Sequence, residues 1–203
     1  MALEVKCLIC GALNTNTYLL FNGNDVVIID PACKIEKLEP YINDKNVLAV
    51  LLTHGHFDHI KTVDDLYKRY NIPVYIHKDD EYLIRDKNQS MNFGLGEVIY
   101  VSSPCKYYEE GMLDIGPFHF EVIFTPGHTK GSVCLQIEDS MFTGDTLFRL
   151  SAGRTDLDGG DASKLKNSLR ILKKIEKDLI IYPGHDAQTR LEIEKRENIF
   201  LKV

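Results

Sequence analysis

Five of the seven histidines in this chain stand directly behind short apolar runs or turns that close them. His54, His56 and His59 lie in Thr53-His-Gly-His-Phe-Asp-His59 behind the run Val47–Leu52. His128 lies in Pro126-Gly-His-Thr129, and His185 ends Pro183-Gly-His185 behind Leu179–Tyr182. Short apolar runs bounded by Gly and Pro read as buried strands, so these histidines sit where strands end. The chain must therefore build a β core whose strand ends carry its chemistry. His77 and His119 stand alone and read as ordinary packing or hydrogen-bonding residues.

The rest of the pattern supports such a core. Residues 3–10, 17–21 and 26–30 read as strands, the last two joined across Asn22-Gly23-Asn24-Asp25, a hairpin signal because Asn and Gly tolerate positive φ. A helix is expected over 34–42, then the run Val47–Thr53. A second helix over Ile60–Tyr70 puts Val63, Leu66, Tyr67 and Tyr70 on one face, followed by a short strand at Pro73–Ile76. A helix near 78–85 and then loops are expected up to 112. Phe118, Phe120, Val122 and Phe124 alternate with His119 and Glu121 as in a strand with one buried face, and strands follow at Val133–Ile137 and Met141–Thr143. A helix over 162–176 carries Leu165, Leu169, Leu172 and Ile175, and Leu179–Tyr182 is a last strand. No linker rich in Pro, Gly or Ser divides the chain, which reads as a single domain over 1–203 with helices covering a β core.

Composition removes several classes of function. The chain has 203 residues, 44% of them hydrophobic, enough for one generous core. Its longest apolar run, Val47–Leu52, falls far short of the roughly 20 residues a membrane span needs, so no membrane association is expected. Glu4 and Lys6 occupy the place of a secretion signal's apolar stretch, and the expected compartment is the cytoplasm. A net charge of −6 argues against a polyanion, so no nucleic acid partner is expected. Five cysteines are an odd count for a chain with no export signal; a disulfide framework is not expected, and most read as small buried hydrophobes. Cys7 and Cys10 form a C-x-x-C, but no second pair completes a zinc or haem pattern and the segment reads as strand.

Neutral imidazole and carboxylate are the donors offered to a divalent transition metal when no thiolate is present, and zinc, iron(II) and manganese(II) all accept them. His54 and His56 can turn toward one ion, while Asp58 and His59 begin a second cluster. His128, Asp145 and His185 lie at further strand ends, and Asp145, in Thr143-Gly-Asp-Thr146, is the carboxylate able to bridge both ions. Gly55 is read as allowing the backbone to bend between the histidines.

Thr53-His-Gly-His-Phe-Asp-His-Ile60, Thr125-Pro-Gly-His-Thr129, Thr143-Gly-Asp-Thr-Leu-Phe148 and Tyr182-Pro-Gly-His185, in that order, resemble the metallo-β-lactamase superfamily and within it the glyoxalase II-like hydrolases. The resemblance implies an α+β fold, a four-layer αββα sandwich with the metal site at one edge. It implies His54, His56 and His128 on a first metal, Asp58, His59 and His185 on a second, and Asp145 between them. Asp30, in Ile29-Asp-Pro31, matches an outer position supporting the ligands, although a turn carboxylate reads equally well there. Two divalent ions are the implied cofactor, zinc first, with iron or manganese as alternatives.

The expected reaction is attack of a hydroxide held between the ions on a small-molecule thioester or other activated ester, with Asp58 as the catalytic residue that also ligates. Gly153-Arg-Thr-Asp156, Gly159-Gly-Asp161 and Glu194-Lys-Arg-Glu-Asn198 resemble the compact single-domain bacterial branch of that group. Arg154 matches a cationic residue that faces substrate in glutathione-using members; pairing with Asp156 or Asp161 is its alternative. Gly-Arg-Thr-Asp is also shared with persulfide dioxygenases, which use one iron, and nuclease or RNA processing is a third class open to the superfamily. After His185 the chain continues Asp186-Ala-Gln188 and ends 18 residues on, so a helical glutathione-binding domain is not expected.

Overall fold

A computed structural model describes residues 3–89, 94 and 97–202. Two six-stranded sheets face each other. The first has strand order β1-β2-β3-β4-β5-β6, from β1 (Glu4–Cys10), β2 (Thr15–Asn22), β3 (Asp25–Ile29), β4 (Asn46–Leu51), β5 (Val74–Ile76) and β6 (Lys106–Tyr107). The second runs β14-β13-β10-β9-β8-β7, from β7 (Gly111–Ile115), β8 (Phe118–Phe124), β9 (Val133–Ile137), β10 (Ser140–Gly144), β13 (Ile180–Pro183) and β14 (Thr189–Arg190). A two-stranded ribbon, β11 (Leu147–Phe148) and β12 (Ser151–Ala152), stands apart. The helices are α1 (Ile35–Ile42), α2 (Val63–Tyr70), α3 (Glu81–Arg85), α4 (Ala162–Lys173) and α5 (Leu191–Glu197).

Three apolar clusters define four layers. Leu19, Val26, Ile28 and Val50 point from the first sheet toward Leu38 and Ile42 of α1 and Val63 and Leu66 of α2. The alternate residues of the same strands, Leu20, Val27, Ile29 and Leu51, meet Phe118, Phe120, Leu135 and Phe142 of the second sheet. Met141, Cys134 and Ile181 face outward to Leu165, Leu169 and Leu172 of α4 and Leu191 of α5. Strands apolar on both faces need cover on both faces, which is why β3 and β4 read as unbroken apolar runs. Each fully buried Leu or Phe contributes about 1.5–3 kcal/mol. The architecture is the αββα sandwich expected from the sequence.

Topology explains why the motifs gather. β3, β4 and β5 are parallel, as are β10 and β13. β8 and β10 are each antiparallel to β9, so β8 also runs in the direction of β10. The carboxyl ends of β3, β4, β8, β10 and β13 therefore lead into Asp30, His54, His128, Asp145 and His185. Ligand sites in sheets with parallel strands form at those ends.

Some local expectations need correction. The segment expected as loop up to 112 holds the short strand β6 and the start of edge strand β7, whose Met112 and Asp114 point to solvent, so an apolar residue at an exposed position hides its alternation. Part of that expected loop, residues 90–93, 95 and 96, lies outside the described residues. Helix α4 stops at Lys173, short of 176, because Lys174 N and Ile175 N bond carbonyls three residues back and tighten the last turn. Helix α5 was not foreseen. No helix among the described residues is long and apolar enough to cross a membrane.

The cysteine expectation fails at one pair. Cys10 and Cys33 are disulfide-bonded, their Cα atoms 4.9 Å apart although 23 positions separate them. The chain leaving β3 crosses the start of β2, where Ala32 N donates to Thr17 Oγ1, and this carries Cys33 over to the end of β1. Cys7, three positions from Cys10, lies on the opposite, exposed face of β1, so the C-x-x-C never closes.

Candidate metal centre

All seven sequence-nominated ligands meet at one edge of the sandwich. One ligand atom each from His54, His56 and His128 lies within 4.8 Å of the others, and the same holds for Asp58, His59 and His185. His128 Nε2 faces His56 Nδ1 at 2.9 Å. Asp145 stands between the groups: Oδ2 is 3.4 Å from His128 Nε2 and 3.5 Å from His185 Nε2, and Oδ1 is 3.5 Å from His59 Nε2.

The outer hydrogen bonds fix which ring nitrogen is left over. Thr53 Oγ1 gives its one proton to Asp30 Oδ2 at 2.6 Å, so at 3.1 Å it accepts from His54 Nδ1 and leaves His54 Nε2 bare. His59 Nδ1 donates to Asp30 Oδ2 at 2.9 Å, His128 Nδ1 to the carbonyl of Arg154 at 2.8 Å, and His185 Nδ1 to that of Leu13 at 3.0 Å. Each of these rings thus turns its other nitrogen inward, where it can ligate once a cation displaces any proton on it. His54 Nε2, His59 Nε2 and Asp145 Oδ1 are buried with no hydrogen-bond partner, a costly arrangement unless a cation completes it. The donor set therefore fits a divalent metal.

Asp30, His54 and His59 form a third convergent group. Both Asp30 oxygens are already occupied, Oδ1 by Thr53 N at 2.8 Å and Oδ2 by Thr53 Oγ1 and His59, so this carboxylate supports ligands rather than offering itself as one. The backbone pays with a left-handed φ of +49° at Asp30.

The two clusters differ electrostatically. Burial pushes His54 far below the usual imidazole range, helped by the neighbouring histidines, and burial beside His128 lowers His56 to about 3. These rings are neutral and ready to ligate. At His59 burial also works downward, but the carboxylates of Asp58, Asp30 and Asp145 outweigh it and raise the ring to about 10. His185 is raised in the same way by Asp58 and Asp145 against its burial. Burial alone would raise Asp58, yet His59, His185 and the Thr15 hydroxyl hold it well below the usual carboxylate range. The second cluster thus carries protons wherever no cation replaces them.

Asp58, His56 and Asp145 line a cavity of about 460 Å³, walled by Phe148, Leu157 and Leu13. Arg154 lines its rim and holds Asp156 through two 2.7 Å bonds, which is the pairing alternative. Asp161 instead caps α4. His77 caps a short turn and His119 pairs with Asp114 in solvent. Sequence reasoning missed Thr15, which donates to Asp58 Oδ2 at 2.8 Å, as well as Thr53, Asp80 and the Leu13 carbonyl. It also misread Gly55, whose φ is not left-handed: a Cβ there would sit 2.8 Å from the Asp80 carbonyl oxygen and from Leu83 Cβ. Close approach to α3, not bending, requires glycine.

The family model described as the metallo-beta-lactamase superfamily matches residues 10–185, and the chain belongs to that family. It is 35% identical over 198 residues to the probable metallo-hydrolase YqgX of Bacillus subtilis, covering 94% of each chain. It is 32% identical to the hydroxyacylglutathione hydrolase GloC of Haemophilus influenzae, covering 98% of each. Among solved structures it is similar to the BLEG-1 B3 metallo-beta-lactamase (37% identity, TM-score 0.91, 98% of this chain and 100% of that one). TTHA1623, in a di-iron-bound form, matches at 36% identity and a TM-score of 0.87, over 97% of this chain and 100% of its own.

Proposed function

We propose that this chain is a binuclear metal-dependent hydrolase of a small-molecule thioester, of the S-2-hydroxyacylglutathione kind, or of a related activated ester, acting in the cytoplasm. The carrying observation is two three-residue clusters joined by Asp145 on the floor of the 460 Å³ cavity. The similarity to GloC supports the thioester. Bound there, two divalent ions, zinc first and iron or manganese as alternatives, supply Lewis acidity that acidifies water toward neutrality and stabilises an oxyanion.

The chain's own residues arrange the rest. Asp58, fixed by the Thr15 hydroxyl and lining the cavity, would orient the proton of the nucleophile while serving as a ligand. Phe148, Leu157 and Leu13 exclude water from the non-reacting part of the substrate. Arg154 can exchange its Asp156 partner for a substrate carboxylate at the rim.

The alternative, a mononuclear iron persulfide dioxygenase, shares Gly153-Arg-Thr-Asp156 and keeps a similar ligand set, so the number and kind of bound ions distinguish the two. Purification with metal quantification and assays on S-lactoylglutathione beside simple thioesters separate them. Two ions per chain and thioester cleavage that disappears in Asp145→Ala are expected. Full activity after metal stripping refutes the reading, and one iron with oxygen uptake selects the alternative.

A further inference from the structure

We infer that Asp80 is a positioning residue that straps the two histidine loops of the first cluster together, so that His54, His56 and His128 present their lone pairs to one point. Asp80 is fully buried, at the turn that starts α3, and belongs to none of the metal-ligating motifs. Its Oδ2 accepts from Gly55 N at 2.9 Å, between His54 and His56, and from Thr129 Oγ1 at 2.7 Å, beside His128. Its Oδ1 accepts from Gly131 N at 2.7 Å, in the same loop as His128. One carboxylate thus holds both loops through three bonds, although Gly55 and Gly131 lie 25 and 51 positions away from it.

Proton counting makes the strap specific to a carboxylate. Thr129 Oγ1 spends its proton on Asp80, so at 2.7 Å it accepts from Ser132 Oγ, which itself accepts from Thr129 N at 3.1 Å. Every group facing Asp80 is therefore a donor. An asparagine would set its own N–H against Gly55 N in one orientation and against Gly131 N in the other. The space around the residue is as specific as its bonds. A Cβ at Gly55 would lie 2.8 Å from the Asp80 carbonyl oxygen, and one at Gly131 would lie 2.8 Å from Asp80 Cγ, so each loop needs a glycine where it meets this residue. No comparable contact runs from Asp80 to Asp58, His59 or His185 among its described hydrogen bonds; those residues are held by Thr15, Asp30 and Leu13.

This inference rests on the reading that the clusters hold metal, and it predicts an unequal loss. In the full chain, Asp80→Asn weakens the tighter or looser of two zinc-binding steps by about 10–100-fold, the range for residues supporting metal ligands, and leaves the other step unchanged. Competition with a chromophoric chelator measures both steps, and the visible spectrum of the cobalt(II)-substituted protein shows a changed ligand field. Equal weakening of both steps, or no change in a folded variant, overturns the strap. Should Asp80→Asn fail to fold, Thr129→Val and Thr129→Ser decide. The valine removes one of the three bonds and should weaken one zinc step, the serine keeps the hydroxyl and should restore it, and identical affinities in the two variants overturn the inference. Wild-type protein that binds no zinc or cobalt at all instead refutes the metal reading beneath it.

Discussion

Replacing Asp30 with asparagine tests whether the outer hydrogen bonds set the state of the ligands. The carboxylate takes three donors, Thr53 N, Thr53 Oγ1 and His59 Nδ1, all within 2.9 Å. Asparagine is nearly the same size and tolerates the left-handed φ, so the change removes an acceptor and little else. If its oxygen stays on Thr53 N, its N–H groups face His59 Nδ1. That ring must then move its proton to Nε2, the atom needed for ligation. If the amide flips, His59 is served but Thr53 N is left buried without an acceptor, at about 1–3 kcal/mol, or about 2–12 °C in melting temperature for a domain of this size. The first outcome loosens one ion about 10–100-fold, and the second lowers the melting temperature. Chelator competition and thermal melts measure the two together. An Asp30→Asn protein with both ion affinities and the melting temperature of wild type would refute the reasoning. Asp30→Ala orphans all three donors, forces alanine into a left-handed backbone, and should be worse on both counts.

Chelation of the purified protein should lower its melting temperature, since a metal bound by the folded state alone stabilises it and His54 Nε2 would be left buried without a partner; an unchanged melt contradicts that. In metal-free protein His59 titrates near 10, above its unfolded value of about 6.5, so its contribution to stability is full below pH 6.5 and is lost as pH rises toward 10. Melts of chelated protein should fall over that window, and by less in Asp30→Asn; a flat profile counts against the assignment. Gly127→Ala puts a Cβ 2.2 Å from Leu165 N at φ +143°, and chemical denaturation should show a loss of about 2–6 kcal/mol, with less than 1 kcal/mol refuting the contact. Arg154→Ala touches only an exposed ion pair, so the melt should stay put while KM rises for thioesters bearing a carboxylate and not for neutral ones.

The parts of the site that could be read from the sequence are those written locally. Strand ends show as apolar runs stopping at Gly, Pro or His, and the seven candidate ligands lie in the loops that follow them. Thr15, Thr53 and Asp80 carry no such signature. Thr15 meets Asp58 across 43 positions and Asp80 meets Gly131 across 51, and no window of the sequence spans either pair. Edge strand β7 escaped for a different reason: its burial alternates, but an apolar Met112 stands at an exposed position and hides that alternation in the sequence. The Cys10–Cys33 bond depends on where the chain crosses β2, which residue counting does not contain.

One seam in the sandwich bears on the order in which the molecule comes into being. Tyr18 Oη and Asn16 Nδ2 both donate to the Pro183 carbonyl, and His185 reaches the Leu13 carbonyl, across 165 to 172 positions. Contacts this far apart carry the largest loop-closure cost and close late. His54, His56 and His128 all precede the last third of the chain, whereas the second cluster cannot exist until Pro183-Gly184-His185 has docked against β2. On the proposed binuclear reading, the histidines of the first cluster are thus synthesised well before the residue that completes the second, and the two sites would become complete at different stages of synthesis.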